Sequence, residues 1–473
     1  MTKNTTRSLR RATALNPRLS LQQSWPARLR AHGETLAQER PARLALIVLA
    51  GIVSAFTLLL LLPGTTRGPH PSFVDALFTA TSAISVTGLA VVDTATYWSG
   101  FGHVILMFGM MIGGIGVMTL ASIMSTAISR HIGLTRRILT ASETQTTLGN
   151  VGSLIRAVIV VALTSQAVLF VLMLPFFLQQ SEALLPALWH SLFMAVSIFN
   201  NGGLVIIPGG LSQFAGSWLL SLPVILGTIS GAIGFPVLLD VWRERSAPRK
   251  WSVTTKITLV TYLALFVVGA AALAACEWQN PATIGHSSAF ESASSSTLVS
   301  SAARSSGLST IDVGSMTQTS WFVLDTLMFI GGGSASAAGG IKVTTFAVLI
   351  LAVIAEARGD RDTQAFGKRF PPETLRLAVA ATLLGAFIVG VGVIALLQVT
   401  SFGLSQVLFE AISAFATCGL STGITASVGV VGKYVLVALM FCGRVGTMTL
   451  AAALALRTRK RVIRYPEETP IIG

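Results

Sequence analysis

Charged residues are scarce in this chain of 473 residues, at 11% of the total, whereas hydrophobic residues make up 52%. With a mean hydropathy of +0.73, the chain has too little polar surface to cover a soluble globule of this size. The composition therefore excludes a soluble protein and indicates an integral membrane protein.

Cysteine is scarce as well, since the chain has three cysteines and none lies at paired spacing, which argues against a disulfide framework or a zinc site. His103, His190 and His286 have no partner at metal-ligand spacing. No segment groups a nucleophile, a base and an orienting acid, and no short apolar core with a cleavage site opens the chain. We expect no enzyme, no cofactor and no signal peptide.

Acidic residues are few, 19 against 33 basic ones, which gives a net charge of +14. The cations concentrate in the first 43 residues, in alternate junctions and in the tail, while Arg67 and Lys433 alone lie clear of the repeats on the other side. The positive-inside rule then makes both termini cytoplasmic, and no nucleic acid partner is needed to explain the charge. We interpret the basic arm, 1–41, as a topology or membrane-lipid element in preference to a specific ligand site.

What the sequence does contain is one unit repeated four times. In the first copy, LFTATSAISVTGLAVVD, a Leu-Phe pair precedes a Gly-Leu pair at a spacing that two other copies keep, and a fourth copy is weaker. The copies end in Gly88-Leu89, Gly203-Leu204, Gly307-Leu308 and Gly419-Leu420. Hydrophobic runs flank each copy, and such repeats define the architecture.

Eight runs reach the roughly 20 residues that a membrane span needs. They cover 42–63, 97–127, 153–178, 217–241, 256–276, 319–356, 374–399 and 433–456. The segments between paired runs are too short to cross and predict re-entrant pore helices. We therefore predict an all-α polytopic membrane protein with four pseudo-symmetric helix/pore-helix/helix repeats around one pore.

The predicted organisation is a cytoplasmic basic arm 1–41, pore repeats 42–130, 153–245, 254–358 and 370–457, and a cytoplasmic tail 458–473. Ser72 is the expected cap of the first pore helix, and Pro236 should kink the last helix of the second repeat or end a tight segment there. The third pore helix, 287–301, is mostly Ser and Ala, so we expect poorer packing there.

Four glycine-containing turns, all approached from outside, predict a four-fold pseudo-symmetric selectivity filter. Glycine lets backbone carbonyls point inward, and a ring of carbonyl oxygens can replace the hydration shell of K+. The predicted filter residues are Val86, Thr87, Gly88, Asn201, Gly202, Gly203, Ser305, Ser306, Gly307, Thr417, Cys418 and Gly419. The alternative, that these glycines only allow close helix packing, is disfavoured by four matched positions.

Ten small residues interrupt the last helix of the third repeat. They are Gly331, Gly332, Gly333, Ser334, Ala335, Ser336, Ala337, Ala338, Gly339 and Gly340. Each glycine disfavours a helix by about 1 kcal/mol relative to alanine, so we predict a break there and define 331–342 as the glycine-rich segment.

Lys342 and Arg444 lie at predicted membrane depth, where insertion of a charge costs about 2.5 to 3.5 kcal/mol. A fixed positive charge below a cation filter suggests a gate. For Lys342 the capping of a broken helix end is an equal alternative, whereas Arg444 points more to the conduction path. Arg304 is better explained as a strut behind the third turn. Asp93 and Asp312 either concentrate cations at the mouth or cap the helices that follow.

Five stretches resemble the Trk/Ktr/HKT superfamily of potassium transporters, most of all the membrane subunit of bacterial Ktr systems. They are TSAISVTGLAVVDT, SIFNNGGLV, RSSGLSTID, MFIGGGSASAAGGIKVTTF and FCGRVGTMTL. The third turn, ARSSGL, departs from the family's usual TRTAGF. The resemblance implies a K+ pore in the bacterial cell membrane, a homodimer, and uptake stimulated by Na+. It also implies a separate cytoplasmic KtrA-like ring that binds ATP or ADP, with residues 331–342 as the gate loop and Arg444 as its charged partner.

The alternative function is a secondary transporter of another cation or small solute, with broken helices at its midplane site. It predicts inverted repeats and a central acidic or polar pocket. The repeats here are parallel, and we expect no membrane-centred carboxylate.

Overall fold

The computed structural model describes residues 41–137, 151–180 and 183–456, and these ranges are mostly helical. Four times along the chain, a long helix is followed by a short helix, a turn and a second long or interrupted helix. The predicted all-α class is confirmed. The predicted tail, and the basic arm up to residue 40, lie outside the described residues.

The first two units contain eight helices. Those of the first unit are α1 (Pro41–Leu60), α2 (Phe73–Ser85), α3 (Thr94–Tyr97) and α4 (Gly100–Arg137). Those of the second unit are α5 (Val151–Gln179), α6 (Leu184–Phe199), α7 (Trp218–Ile233) and α8 (Phe235–Arg243). The short helices α2 and α6 each stand between longer partners.

The last two units contain seven helices and a two-stranded hairpin. Those of the third unit are α9 (Val253–Glu277), α10 (Ala289–Ala302), α11 (Gln318–Phe329) and α12 (Val343–Arg358). The hairpin pairs β1 (Gln364–Ala365) with β2 (Lys368–Arg369) in antiparallel register. Those of the fourth unit are α13 (Pro372–Val399), α14 (Leu404–Phe415) and α15 (Gly429–Leu456).

Four helices in the described ranges are long and apolar enough to cross a membrane, and the bent pair α7 and α8 makes a fifth if it is counted as one span. These four are α4, α5, α9 and α13. Large apolar side chains are exposed on them, such as Leu263 at 61% and Phe387 at 67%, as expected for lipid-facing surfaces. The protein is therefore a multi-pass membrane protein.

Side-chain caps set where two of the short helices begin. Ser72 accepts a hydrogen bond from the backbone N–H of Asp75 at 3.1 Å, as predicted for α2. At the start of α10, Ser288 accepts from the N–H of Glu291 while the Glu291 carboxylate accepts from the N–H of Ser288. This reciprocal capping box satisfies N–H groups that a helix start would otherwise leave unpaired.

Two long helices are interrupted. The helices α7 and α8 meet at Gly234 with a bend of 99°, and Gly234 has a φ of +103° that side chains disfavour. Pro236 lies in the first turn of α8, where its missing N–H is tolerated, so the predicted kink is confirmed. The predicted break is confirmed as well, since α11 ends at Phe329 and α12 begins at Val343.

The expectation of poor packing in the serine-rich helix α10 is wrong. Nine of its fourteen residues are buried, and Ser300 donates a hydrogen bond to the carbonyl of Phe266 on α9 at 2.8 Å. A Cβ added to Gly269 of α9 would lie 2.7 Å from the Ser300 Oγ. Small side chains therefore let the two helices approach closely instead of leaving a gap.

Candidate selectivity filter and glycine-rich segment

The four predicted turns share one backbone conformation. In each turn the first and third predicted residues have positive φ, and the middle residue does not. The first residues are Val86 (55°), Asn201 (58°), Ser305 (124°) and Thr417 (46°), and the third are Gly88 (89°), Gly203 (66°), Gly307 (62°) and Gly419 (96°). Alternation between the left-handed and the ordinary backbone conformation lets the carbonyls of successive residues face the same side of the turn.

The four turns meet in a closed ring. A Cβ added to Gly88 would lie 2.8 Å from the Cα of Gly203, and one added to Gly203 would lie 2.6 Å from the carbonyl oxygen of Ser306. From Gly307 the corresponding distance to the Cys418 carbonyl oxygen is 2.7 Å. Gly419 closes the ring, because its added Cβ would meet the carbonyl oxygen of Thr87. The twelve predicted residues are thus brought together.

Burial distinguishes the glycine of each turn from the two residues before it. Gly88, Gly203, Gly307 and Gly419 are partly exposed, whereas the other eight predicted turn residues are buried. The backbone at the third position is therefore the accessible part of every turn. An ion path through the ring would therefore be lined by the main chain and not by side chains.

Each short helix ends directly before its turn. The helices α2, α6, α10 and α14 finish at Ser85, Phe199, Ala302 and Phe415. The carboxyl end of a helix carries a partial negative charge, equivalent to about half an elementary charge. Four such ends converge on the ring, and this arrangement favours a cation at its centre.

One serine lies at the same offset before the turn glycine in each short helix, and the sequence reasoning missed these residues. In three of the four helices its hydroxyl bonds to the turn or to the residue after it, whereas the Ser301 hydroxyl donates to the Leu298 carbonyl within α10. Ser82, Ser197, Ser301 and Ser413 lie at the same offset from the four turn glycines. The hydroxyl oxygens of Ser82 and Ser413 accept the N–H of Gly88 and Gly419, each at 3.1 Å. The Ser197 hydroxyl instead donates to the carbonyl of Leu204 at 2.8 Å. The constant offset was the signal that could have identified them.

A second set of glycines acts through packing. A Cβ on Gly113, Gly231 or Gly443 would overlap the carbonyl oxygen of Ile84, Phe199 or Phe415, at or next to the last residue of a short helix. These glycines of α4, α7 and α15 thus allow close contact between helices. The turn glycines, by contrast, are needed for their positive φ.

The third turn differs from the others. The Ser305 hydroxyl donates to the Thr417 carbonyl at 3.1 Å and accepts the N–H of Gly339 at 3.3 Å. One side chain therefore connects the third turn, the fourth turn and the glycine-rich segment. In addition, the thiol of Cys418 lies 3.4 Å from the carbonyl oxygen of Ala302. The third and fourth units are tied together at this point.

Arg304 lies against an aromatic ring and has no hydrogen bond to the carbonyls of the filter turns. It is fully buried, and its guanidinium carbon lies 4.8 Å from the ring centroid of Tyr262 on α9. None of its three nitrogen atoms has a hydrogen-bond partner among the described residues. This contact is consistent with the predicted strut behind the third turn.

The glycine-rich segment fills the break between α11 and α12 and contacts the break between α7 and α8. The N–H of Gly333 donates to the Ala232 carbonyl at 2.7 Å, and the N–H of Phe235 donates to the Ala335 carbonyl at 3.2 Å. All ten small residues except Ser334 are buried. Two interrupted helices therefore satisfy each other's free backbone groups, as irregular backbone at membrane depth requires.

Both predicted cations bind carbonyls of this segment. The Lys342 ammonium donates to the Ala338 carbonyl at 2.5 Å, and the Arg444 guanidinium donates to the Ala337 carbonyl. Lys342 also stands at the N-cap of α12 without a side-chain cap bond. The two cations thus hold neighbouring peptide groups in the middle of the break.

The two aspartates outside the turns are helix caps. Asp93 accepts the N–H of Ala95 at 3.1 Å, and Asp312 accepts the N–H of Gly314 at 3.0 Å. Of the two alternatives for these residues, the capping role is therefore the one observed.

Two carboxylates are buried within the helix bundle. Asp325 on α11 is 6% exposed and Glu410 on α14 is fully buried. The Glu410 carboxylate accepts hydrogen bonds from Ser421, Thr422 and Thr425, which follow the fourth turn. Nearby, Lys433 and Asp75 form an ion pair of 2.6 Å between the fourth and first units.

Comparison with known proteins identifies the family. The family described as TrkH, cation transport protein, matches residues 29–461. The Ktr system potassium uptake protein B of Bacillus subtilis is 36% identical over 88% of this chain and 93% of its own length. The potassium/sodium uptake protein NtpJ of Enterococcus hirae is 30% identical over 88% and 93%.

A solved structure shares the fold. The potassium transporter TrkH from Vibrio parahaemolyticus matches with a TM-score of 0.71 at 18% identity, covering 87% of this chain and 84% of that one. The resemblance inferred from the sequence motifs is confirmed by these matches. This chain belongs to the TrkH family of cation transport proteins.

Proposed function

We propose that this chain is the potassium-translocating subunit of a Ktr-type uptake system, a gated pore driven by the electrochemical gradient. The observation that carries the proposal is the closed ring of four turns with alternating backbone handedness. Two further relatives support it, the Ktr system potassium uptake protein D of B. subtilis and protein B of Vibrio alginolyticus, which are 34% and 33% identical.

The proposed arrangement has eight transmembrane helices and four re-entrant pore helices in a bacterial cell membrane, with both termini cytoplasmic. The long helices α1 and α15 and the interrupted pair α11 and α12 join the apolar spans to complete the eight. The distribution of basic residues supports the orientation. In this arrangement α2, α6, α10 and α14 dip in from outside and present their carboxyl ends to the ion.

The twelve turn residues then form the selectivity filter. Carbonyl oxygens of the four turns replace the water that K+ loses on entry. The partly exposed glycines line the path, and the converging helix ends stabilise the ion. The chemistry is coordination, and the ion is the cargo.

Residues 331–342 form the gate, held by Arg444. The segment is buried beside the fourth turn, because a Cβ on Gly339 would overlap the Ala416 carbonyl. Its glycines permit more than one backbone conformation, and Arg444 and Lys342 stabilise the conformation seen here through two carbonyls. Opening requires these two hydrogen bonds to break or move.

Control from the cytoplasm requires a separate chain. We propose a homodimer with a KtrA-like ring that binds ATP or ADP and shifts the glycine-rich segment. Stimulation by Na+ is part of the same proposal, and the name of the Enterococcus relative, potassium/sodium uptake protein, supports a role for both ions.

Complementation tests the proposal. The chain is expressed with a KtrA-like partner in a bacterium without its own potassium uptake, and growth at low potassium and rubidium uptake are followed. The variant Gly88→Ser places a side chain 2.8 Å from Gly203 at a φ of +89°, so we expect it to lose preference for potassium over sodium. The control Gly390→Ala adds a Cβ with nothing within 4 Å and should behave as the parent.

A well-expressed parent that moves no rubidium, with or without the partner, would remove the potassium assignment. Sodium and organic solutes would then be tested, because the competing function is a secondary transporter. Deletion of residues 334–338 addresses the gate separately and should give uptake that no longer depends on the partner.

A further inference from the structure

Asp325 is a buried carboxylate that the proposed pore does not use. It lies midway along α11, is 6% exposed, and its Oδ1 is buried without a hydrogen-bond partner in the described part of the chain. No described cation forms an ion pair with it. Ionisable groups at membrane depth are costly to keep, and this makes a functional role the first hypothesis.

Two other buried carboxylates, those of Glu277 and Glu410, accept several hydrogen bonds from neighbouring residues. Glu277, 1% exposed, accepts hydrogen bonds from Asn280, Thr283, Thr317 and Ser320. Glu410 is held by three residues after the fourth turn. Such networks of donors stabilise an ionised carboxylate. Asp325 has no comparable network, so its surroundings favour the uncharged acid.

The position of Asp325 follows from two contacts between aromatic side chains of α11 and α14. Trp321 contacts Phe409 with centroids 6.4 Å apart, and Phe329 contacts Phe415 with centroids 6.5 Å apart. Asp325 is four residues after Trp321 and four before Phe329, and residues at this spacing share one helix face. The carboxyl group therefore lies in the interface with α14, between the two aromatic pairs.

The helices packed against α11 are α9 and α14, and neither offers a counter-ion. Their titratable groups in the described chain are Lys256, Tyr262, Cys276 and Glu277 on α9 and Glu410 on α14. None of these makes an ion pair or hydrogen bond with Asp325. Leu324, Leu327 and Met328 of α11 and Ile412 of α14 belong to one buried apolar cluster.

We propose that Asp325 is a proton-binding site within the α11–α14 interface. Burial of an isolated carboxylate is strongly unfavourable because the charge loses its hydration, whereas the protonated acid is uncharged and can be accommodated. When the proton leaves, the carboxyl O–H bond breaks, the proton passes to water, and the carboxylate that remains must be hydrated. Ionisation therefore opposes close packing of α11 on α14.

The interface connects both parts of the proposed pore. The helix α14 carries Ser413, which supports the Gly419 turn at 3.1 Å, while α11 leads into the glycine-rich segment at Gly331. A proton on Asp325 keeps these elements together. We expect transport to be highest when Asp325 is protonated and to fall as rising pH removes the proton.

The first test is rubidium uptake against pH for the parent, Asp325→Asn and Asp325→Glu. This readout rests on the proposed function. Uptake by the parent should fall with rising pH, approaching about tenfold per pH unit once Asp325 ionises, because one proton is bound. Asp325→Asn, which is permanently uncharged, should transport without that fall. Asp362→Asn, a change at an exposed carboxylate paired with Arg369, should keep the parent's profile.

Two results would overturn the proposal. If Asp325→Asn reaches the membrane and is inactive at every pH, the carboxylate anion itself is needed. If its profile parallels that of the parent, Asp325 is not the site that titrates. Should Asp325→Asn fail to reach the membrane, Asp325→Glu decides, since a shifted midpoint supports the proposal and an unchanged one contradicts it.

Infrared spectroscopy of the purified protein tests the proton site without transport. The parent should show the carbonyl stretch of protonated carboxyl groups, and the difference between the spectra of the parent and Asp325→Asn should contain a band that disappears with rising pH. Spectra of the two proteins that are identical in this region at every pH exclude Asp325 as the proton site. If the band behaves as expected but no rubidium moves, the proposed potassium function fails while the proton site stands.

Discussion

Arg444 on α15 donates a hydrogen bond to the carbonyl of Ala337, which is 107 residues away in the glycine-rich segment. The N–H of the same Ala337 donates to the Gly231 carbonyl at 3.2 Å. One residue of the third unit is thereby held from the second and fourth units at once. The segment cannot change conformation without breaking contacts to both.

Replacement of Arg444 should release this segment. In Arg444→Met an unbranched apolar side chain replaces the guanidinium and donates no hydrogen bond to Ala337. The substitution removes a buried charge that has no ion-pair partner among the described residues and leaves no opposite charge unpaired, so we expect a folded protein. Rubidium uptake without the cytoplasmic partner should rise, measured against Arg369→Met, which changes an exposed cation. Uptake that still depends fully on the partner would contradict a gating role.

Loss of the Ser305 hydroxyl should weaken selectivity. Ser305→Ala removes the hydrogen bonds to the Thr417 carbonyl and to the Gly339 N–H. Each is worth about 1 kcal/mol, so the preference for potassium over sodium should fall about fivefold if one of them contributes and about thirtyfold if both do. Competition of sodium with rubidium uptake measures this. Ser309→Ala, whose hydroxyl bonds locally to Ile311, is the matched control and should leave selectivity unchanged.

A methyl group on Gly443 should destabilise the protein. Its Cβ would overlap the Phe415 carbonyl at the end of α14, and overpacking typically costs about 1 to 3 kcal/mol. Thermal unfolding of the purified protein in detergent should show a lower midpoint for Gly443→Ala. Gly390→Ala, with open space around its Cβ, should match the parent or exceed it. Equal midpoints for the two variants would show that α15 can shift to relieve the overlap.

The ion pair between Asp75 and Lys433 should join the first and fourth units. Both side chains are largely buried, at 19% and 15% exposed, and lie 2.6 Å apart. In a double-mutant cycle with Asp75→Asn and Lys433→Met, we expect a coupling energy near or above the roughly 1 kcal/mol upper end for exposed pairs. Strictly additive effects on thermal stability would indicate that the pair contributes nothing to ring closure.

Local chemistry explains why much of the site could be predicted from the sequence. The spacing from Leu77 to Gly88 recurs in later copies, and a repeated spacing requires a repeated structure. A run of ten small residues between apolar segments cannot sustain a helix, and the break between Phe329 and Val343 follows from this. Ser72 caps α2, and Pro236 lies in the first turn of α8 beside the bend, as their side-chain chemistry predicted.

Other features depend on contacts between distant parts of the chain, and no local pattern contains them. The serine content of α10 suggested loose packing, but Gly269 on another helix makes a close approach possible. In the sequence Asp325 is an ordinary acidic residue, and only the aromatic contacts between α11 and α14 show that it lies in their interface. Likewise, Arg444 and Ala337 are partners only because two units fold against each other.

The sequence by itself therefore determined the helical membrane architecture, the four turns and the position of the helix break. These depend on composition, periodicity and backbone preference, which act over a few residues. The tertiary structure alone decided how the four turns close into a ring, which carbonyls receive the buried cations and which carboxylates lack a partner. Burial and hydrogen bonding are properties of the assembled units, because each requires atoms that the sequence places far apart.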